Sequence, residues 1–160
     1  MMSKISAIAE IFDIDWIVGC WFVIILSMET KTRIAGIFIQ NGKMLMLTGK
    51  GYPELWTPGG KVDERESDEE TLRRELKEEL DVDLVSFNFF KEYLTENFYS
   101  QKYKIIERVY TIIIKGEPKP NAEIENVVWF TKEDFQNKKF PMIPHTEEEL
   151  IPDLIKAGIW

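Results

Sequence analysis

Residues 60–82 read GKVDERESDEETLRRELKEELDV and contain the clearest structural signal in the chain. Within this stretch, Ser67–Leu80 is predicted to form a helix, because Ser67 followed three residues later by Glu70 makes a capping box. Three leucines repeat at a helical spacing on one side of it: Leu72, Leu76 and Leu80. The stretch therefore predicts one amphipathic helix, reached through the glycine turn Gly59-Gly60 and a short acidic loop.

The same helix carries a concentration of acidic residues. Residues 63–83 hold 11 Asp and Glu against 4 Lys and Arg, which accounts for most of the chain's net charge of −8. Glu75, Glu78 and Glu79 stand at positions i, i+3 and i+4, so their carboxylates share one helix face. Carboxylates beside an exposed carbonyl of the preceding glycine turn are the ligands that Mg²⁺ prefers. The alternative is a solvated charged face held by ion pairs to Arg74.

Strand-like runs lie on both sides of this helix. Before it come Thr32–Gln40, Lys43–Thr48 and the short extended piece Leu55-Trp56-Thr57. Asn41-Gly42, between the first two runs, is a strong hairpin signal. After the helix come Val82–Phe90, Ile105–Lys115, Val127–Phe130 and a predicted last helix, Glu147–Ala157, with Gly158 as its stop. Strands before and after one long helix predict an α/β domain with a mixed sheet.

The first 27 residues are a separate apolar extension, ahead of a domain that spans residues 28–160. The apolar run Trp16–Leu26 has eleven residues without a charge, whereas a transmembrane helix needs about 20. A secretory signal fits poorly, because acids precede the run and no small-residue cleavage site follows it. Three interpretations stay open: an extra buried strand or short helix, a surface for dimerisation or membrane contact, or an extension upstream of a natural start at Met28.

Composition excludes several classes of protein. With 160 residues, 44% of them hydrophobic and 30% charged, the chain can build a core and is not disordered as a whole. The acidic balance disfavours binding of duplex nucleic acid through a basic face. A single cysteine, Cys20, excludes an internal disulfide, and a single histidine, His145, excludes a two-histidine metal site. A reducing, cytoplasmic setting fits best, and a homodimer stays open.

The stretch 60–82 resembles the Nudix box, the signature of the Nudix hydrolases. That pattern is Gly, five residues, Glu, seven residues, then Arg-Glu-aliphatic-any-Glu-Glu-any-Gly-aliphatic. Eight of its nine specified positions match: Gly60, Glu66, Arg74, Glu75, Leu76, Glu78, Glu79 and Val82. The departure is Asp81 in place of glycine, at a position that follows the helix and favours a left-handed backbone. The resemblance covers about residues 31–160 and implies an α/β/α sandwich with a mixed sheet.

The resemblance also implies a chemistry, the hydrolysis of a nucleoside diphosphate linked to some group X, with Mg²⁺ as cofactor or Mn²⁺ in its place. The implied metal ligands are a carbonyl of the glycine turn, assigned to Gly60, and the carboxylates of Glu75, Glu78 and Glu79. The implied catalytic residues are Glu75 or a downstream glutamate as the base, and Arg74 and Glu66 as a pair that orients the helix. Glu123 would be the downstream acidic residue, and a plain loop glutamate is its alternative interpretation. For a triphosphate, the products would be a monophosphate and pyrophosphate.

The segment Lys139–Trp160 is similar to the oxidised-purine nucleoside triphosphate hydrolases of this family. In those enzymes the region matching Ile143–Thr146 lines the base pocket with an aromatic and acidic residues, and here the acids are missing. The implied substrate-binding residues are Trp56, Tyr99, Ile143 and His145, although an exposed loop histidine is the simpler interpretation of His145. Dinucleoside polyphosphates and ADP-ribose stay open as substrates. A catalytically idle Nudix module that senses a nucleotide or binds a partner is the alternative function.

Overall fold

The computed structural model describes residues 30–96 and 103–160 of the chain. The predictions for residues 1–27 and for Tyr99 therefore lie outside the described residues. Within the two described ranges, no helix has the length and apolar character needed to cross a membrane.

The described ranges form seven strands and three α-helices. The strands are β1 (Thr30–Ile37), β2 (Ile39–Gln40), β3 (Lys43–Gly49), β4 (Tyr52–Trp56), β5 (Asp83–Glu96), β6 (Lys104–Lys115) and β7 (Ile124–Phe130). The helices are α1 (Asp68–Leu80), α2 (Lys132–Gln136) and α3 (Ile151–Lys156), with a π-helical turn, Thr146–Leu150, leading directly into α3. Each predicted run overlaps one or two of these strands, but β4 and β7 begin earlier than predicted and β5 continues well past the predicted end at Phe90. The short helix α2 was not predicted.

The strands form two sheets with different pairing. In the first, β6 is central, with β1 parallel to it on one side and β5 antiparallel on the other. In the second, β3 is central and pairs antiparallel with β2, β4 and β7. The predicted mixed sheet is the first of these two.

Alternating strand residues bury their side chains in two separate clusters, one on each face of the strands. One cluster joins strand residues Ile34, Leu45 and Leu47 to the α1 leucines Leu72, Leu76 and Leu80. The other joins Ala35, Met44 and Met46 to the C-terminal residues Leu150, Ile151, Leu154 and Trp160. The strands therefore lie between α1 and the C-terminal helical segment, and the predicted α/β/α sandwich is confirmed.

Both ends of α1 have the local geometry that the sequence predicts. The Ser67 side chain accepts the Glu70 N–H at 3.3 Å, and the Glu70 carboxylate accepts the Ser67 N–H at 2.8 Å, which completes the capping box. Asp81 ends the helix in the left-handed conformation, with φ of 52°, and its N–H donates to the Lys77 carbonyl. The aspartate thus adopts the backbone conformation expected at this position.

Two elements differ in detail from their predictions. The Asn41-Gly42 turn joins two strands as predicted, with φ of 52° and 74°, but the run before it is divided into β1 and β2. The predicted helix Glu147–Ala157 begins instead as the π-helical turn and becomes α-helical only at Ile151. The Ile151 N–H donates to the Thr146 carbonyl five residues back, and Pro152 has no N–H with which to continue the ladder.

A chain that begins at Met28 is expected to fold on its own, because the Nudix resemblance covers about residues 31–160 and the described residues of both buried clusters lie between Ile34 and Trp160. It is also expected to be more soluble, since the uncharged run Trp16–Leu26 is removed. Circular dichroism and thermal melting of the two chain lengths test this. Insolubility or an unfolded spectrum of the shorter chain would show that residues before Met28 complete the core.

Candidate active site

The glycine turn before α1 is in direct contact with the acidic face of that helix. The Gly59 N–H donates to Glu79 Oε2 at 2.8 Å. A Cβ at Gly60 would clash with the Glu75 carboxylate, and one at Gly59, where φ is +125°, would clash with the Ile34 carbonyl. Glycine is required at position 59, where the φ angle and the Ile34 carbonyl exclude a side chain, whereas a side chain at position 60 would displace the Glu75 carboxylate. The turn therefore brings two of the three predicted helix carboxylates, Glu75 and Glu79, against its backbone.

Arg74 organises the outer part of the acidic face. Its guanidinium donates twice to Glu66, both times at 2.8 Å, and once to Glu75 at 2.7 Å. Glu78, whose side chain is 57% exposed, lies 3.5 Å from the same guanidinium. The hydrogen bond from Arg74 lowers the pKa of Glu66 to about 2. The predicted pair of Arg74 and Glu66 is thus present and ionised.

Burial sets the protonation of the two inner carboxylates. Glu79 is 3% exposed, and burial raises its pKa to about 8, although the hydrogen bond from Gly59 opposes the shift. Repulsion by Glu75 and Glu123 acts in the same direction as burial. Burial also raises the pKa of Glu75, against the opposing effect of Arg74. Without a cation on this face, Glu79 is therefore largely protonated at neutral pH.

The donor set of the acidic face fits a hard divalent cation. Burial, with a smaller contribution from neighbouring carboxylates, raises the pKa of Glu79, and carboxylate oxygens of this kind are ligands that suit Mg²⁺ or Mn²⁺. Within residues 30–96 and 103–160, however, no three acidic or histidine side chains already converge on one point. The reason is that Arg74 draws Glu75 toward Glu66, while the Gly59 N–H holds Glu79.

Glu123 lies close to the acidic face, although it is distant from the helix in sequence. Its charge contributes to the raised pKa of Glu79. Its carbonyl accepts the Lys50 N–H at 3.1 Å, and the residue lines a cavity of about 270 Å³ together with Trp56 and Tyr52. The predicted downstream acid is therefore near the helix carboxylates, and its catalytic role stays a prediction.

A second cavity, of about 220 Å³, is here called the main cavity. Three of the four residues predicted to bind substrate line it: Trp56, Ile143 and His145. Six polar residues that were not selected from the sequence also line it: Arg33, Thr57, Thr95, Glu96, Glu107 and Thr146. Trp56 borders this cavity as well as the one next to Glu123, so its side chain lies between the two.

His145 is buried, so its interpretation as an exposed loop residue is wrong. The residue is 9% exposed, and its ring packs edge-on against Tyr93 with 4.6 Å between the ring centroids. His145 Nε2 lies 3.0 Å from Glu107 Oε2, an electrostatic contact that lacks the angles of a good hydrogen bond. Burial alone would lower the pKa of His145, but Glu107 and Glu149 outweigh it and the net shift is upward.

Arg33 connects the main cavity to the glycine turn. Its guanidinium donates to the Glu107 carboxylate, to the Thr57 carbonyl at 2.6 Å and to the Gly59 carbonyl at 3.2 Å. Burial alone would raise the pKa of Glu107, but the charges of Arg33 and His145 outweigh it and lower that pKa. Glu107 is therefore an ionised, buried carboxylate held between Arg33 and His145.

A family model described as the NUDIX domain matches residues 30–154, a range that includes the acidic face and the main cavity. The chain belongs to the Nudix family. Residues 60–82 are accordingly its Nudix box, and α1 is the helix that carries the box carboxylates.

Individual Nudix relatives match a shorter part of this chain or match it at low sequence identity. The mRNA-decapping enzyme subunit 2 of Saccharomyces cerevisiae is 30% identical over 101 residues, which are 61% of this chain and 10% of that protein. The 8-oxo-dGTP diphosphatase of Buchnera aphidicola is 37% identical over 68 residues, 40% of this chain and 52% of that protein. The chain thus spans from a tenth to about half of these curated relatives. The Escherichia coli ORF135 protein has the same fold, with a TM-score of 0.67 at 24% identity, covering 82% of this chain and 94% of that one.

In this Nudix chain, Gly59 offers a more available carbonyl than Gly60. The Gly60 carbonyl already accepts the Ile34 N–H at 2.8 Å, as part of the pairing between the turn and β1. Among residues 30–96 and 103–160, the Gly59 carbonyl accepts one longer bond, of 3.2 Å, from Arg33. The Gly59 carbonyl is therefore a candidate ligand beside the predicted one at Gly60.

The sequence analysis missed the charged pair of Arg33 and Glu107. The two residues are register partners on the parallel strands β1 and β6, 74 positions apart in sequence. One signal was present, since each is a charged residue inside an otherwise apolar strand-like run. The parallel pairing that joins them is a long-range feature, which hydrophobic periodicity does not encode.

Proposed function

We propose that this Nudix chain is a Mg²⁺-dependent pyrophosphohydrolase acting on a nucleoside diphosphate linked to X, and that a nucleoside triphosphate is its substrate. One observation carries the proposal: the glycine turn touches both the acidic face, through Glu75 and Glu79, and the main cavity, through Arg33. A nucleoside held in the cavity would have its phosphates beside the carboxylates. The similarity to an 8-oxo-dGTP diphosphatase supports a triphosphate substrate.

The residues that would hold the metal are Glu75, Glu78 and Glu79, with the carbonyl of Gly59. Bound Mg²⁺, or Mn²⁺ in its place, neutralises phosphate charge and lowers the pKa of water. The bound cation explains how an acidic face can accept an anionic substrate, which the carboxylates alone would repel.

The other site residues have roles that follow from their contacts. Arg74 holds Glu75 through a hydrogen bond of 2.7 Å and is itself fixed by Glu66. A carboxylate, either Glu75 on the acidic face or Glu123 near it, takes the proton of the attacking water. Attack at a bridging phosphorus breaks one phosphorus–oxygen bond, and a triphosphate yields a nucleoside monophosphate and pyrophosphate.

A substrate screen tests the proposed function. The purified chain is incubated with Mg²⁺ and, separately, with the four dNTPs, 8-oxo-dGTP, ADP-ribose and dinucleoside polyphosphates, and nucleotide products and pyrophosphate are measured. We expect turnover of at least one triphosphate, with loss of activity on chelation of the metal. Nucleotide binding without any turnover would instead indicate a catalytically idle Nudix module.

Three ionisable groups of the main cavity, Arg33, Glu107 and His145, are in contact with each other. The segment Ile143–Thr146 lacks acids, but Glu107 on β6 supplies a carboxylate. That carboxylate already interacts with Arg33 and His145. A nucleotide base in this cavity therefore meets few charged groups that would lack a partner without it. Such a pocket discriminates weakly among nucleotide bases.

We accordingly expect the four dNTPs and 8-oxo-dGTP to differ by less than about 200-fold in kcat/KM. His145→Ala is expected to change the ranking of the bases more than the rate on the best one, because the imidazole lines the cavity and not the acidic face. Steady-state kinetics of the unmodified chain and of His145→Ala on these five nucleotides test both expectations. A preference above about 10⁴-fold for one base, unchanged in His145→Ala, would mean that the base binds elsewhere.

A further inference from the structure

A third cavity, of about 190 Å³, is lined by three cationic side chains, Lys31, Arg33 and Lys61. We call it the cationic cavity. It shares Arg33 and Ile105 with the main cavity, so the two are neighbours. The Lys31 ammonium lies 4.1 Å from the centre of the Tyr103 ring, which also lines the cavity. In a chain with a net charge of −8, three cations around one cavity form a local positive field.

Two of these cations oppose each other across a backbone pairing. Arg33 and Lys61 are partners in an isolated antiparallel bridge, and like charges directly opposite destabilise such a pairing. Arg33 offsets its charge through Glu107, whereas the Lys61 ammonium has no carboxylate partner among residues 30–96 and 103–160. An anion in the cavity would relieve this repulsion.

The cationic cavity adjoins the acidic face. Lys61 directly follows the glycine turn, and its carbonyl accepts a hydrogen bond from Arg74 at 3.1 Å. Arg33 reaches the Gly59 carbonyl on the other side. A polyphosphate with one phosphate at the acidic face would therefore have its next anionic groups close to these cations.

We propose that Lys31, Arg33 and Lys61 form an anion subsite for the X group of the substrate, so that X ends in phosphate. This inference rests on the proposed function and adds to it the three residues that would hold the terminal phosphates of a nucleoside triphosphate. ADP-ribose, whose distal end is a neutral sugar, would gain nothing from the subsite.

Equilibrium binding of inorganic pyrophosphate, measured by calorimetry without divalent cations, tests the subsite independently of turnover. Lys61→Gln and Lys31→Gln are each expected to weaken pyrophosphate binding roughly ten-fold, as loss of one charge-assisted contact implies. Lys61→Arg should retain the binding. Lys43→Gln is the matched control, because Lys43 is an exposed lysine that lines none of the three cavities. Melting temperatures confirm that the variants are folded.

Two results would overturn the subsite: no pyrophosphate binding by the unmodified chain, or equal weakening by Lys43→Gln. If triphosphates are hydrolysed, Lys61→Gln should also raise KM for them roughly ten-fold while leaving any ADP-ribose hydrolysis unchanged. Equal effects on both substrates would contradict the inference. Absence of all hydrolysis would remove the proposed function, while pyrophosphate binding would still decide whether the subsite exists.

Discussion

Glu79→Gln is expected to lower kcat/KM in saturating Mg²⁺ by roughly 10²–10⁴-fold on the best substrate. Glutamine has the same shape, and its amide oxygen can still accept the Gly59 N–H that now bonds to Glu79 at 2.8 Å. The turn and the helix should therefore stay in place. What is removed is the negative charge of the most buried candidate metal ligand.

Glu69→Gln is the matched control for this variant. Glu69 is on the same helix, is 44% exposed and pairs with Arg73 at 2.7 Å, so its loss should leave activity within about two-fold. Steady-state kinetics of the three chains at several Mg²⁺ concentrations give the comparison. Near-normal activity of Glu79→Gln would show that Glu79 is neither a metal ligand nor part of the chemistry.

The second large effect concerns stability in the absence of divalent cations. Burial raises the pKa of Glu79 in the folded chain to about 8, from an ordinary value of 4.5. Between these two values the folded chain binds a proton that the unfolded chain has released. The free energy of unfolding is therefore expected to fall as pH rises through this window, by at most about 1.4 kcal/mol per pH unit. Added Mg²⁺ should restore stability at the upper end.

Glu79→Gln should remove most of this pH dependence, because an amide does not titrate. With a chelator present, its melting temperature is expected to exceed that of the unmodified chain by several degrees near pH 8 and by little near pH 5. Glu69→Gln should keep the slope of the unmodified chain. Melting temperatures that do not change over this pH range in the unmodified chain would contradict the buried, high-pKa state of Glu79.

Features encoded locally were predicted from the sequence. The capping box of Ser67 and Glu70, the leucine repeat of α1 and the Asn41-Gly42 turn depend on residues within a few positions of each other. The left-handed conformation of Asp81 likewise follows from its place after the helix. The closeness of Gly60 to Glu75 follows from the fixed spacing of the Nudix box.

Features that depend on distant pairing were not predicted. Arg33 and Glu107 meet only because β1 and β6 lie parallel, and His145 is buried only because β5 brings Tyr93 against it. The short helix α2 has too few residues to show a clear hydrophobic period. The contact that occupies the Gly60 carbonyl comes from Ile34, on a strand that the sequence alone does not position.

The central claim is that the acidic face of α1 carries out hydrolysis of a nucleoside triphosphate with Mg²⁺. The most direct measurement is ion-exchange analysis of the products formed from each dNTP, for the unmodified chain and for Glu79→Gln. The account predicts equal amounts of nucleoside monophosphate and pyrophosphate from the unmodified chain with Mg²⁺, and almost none from Glu79→Gln or after chelation. Release of the same two products at the same rate by Glu79→Gln would contradict it.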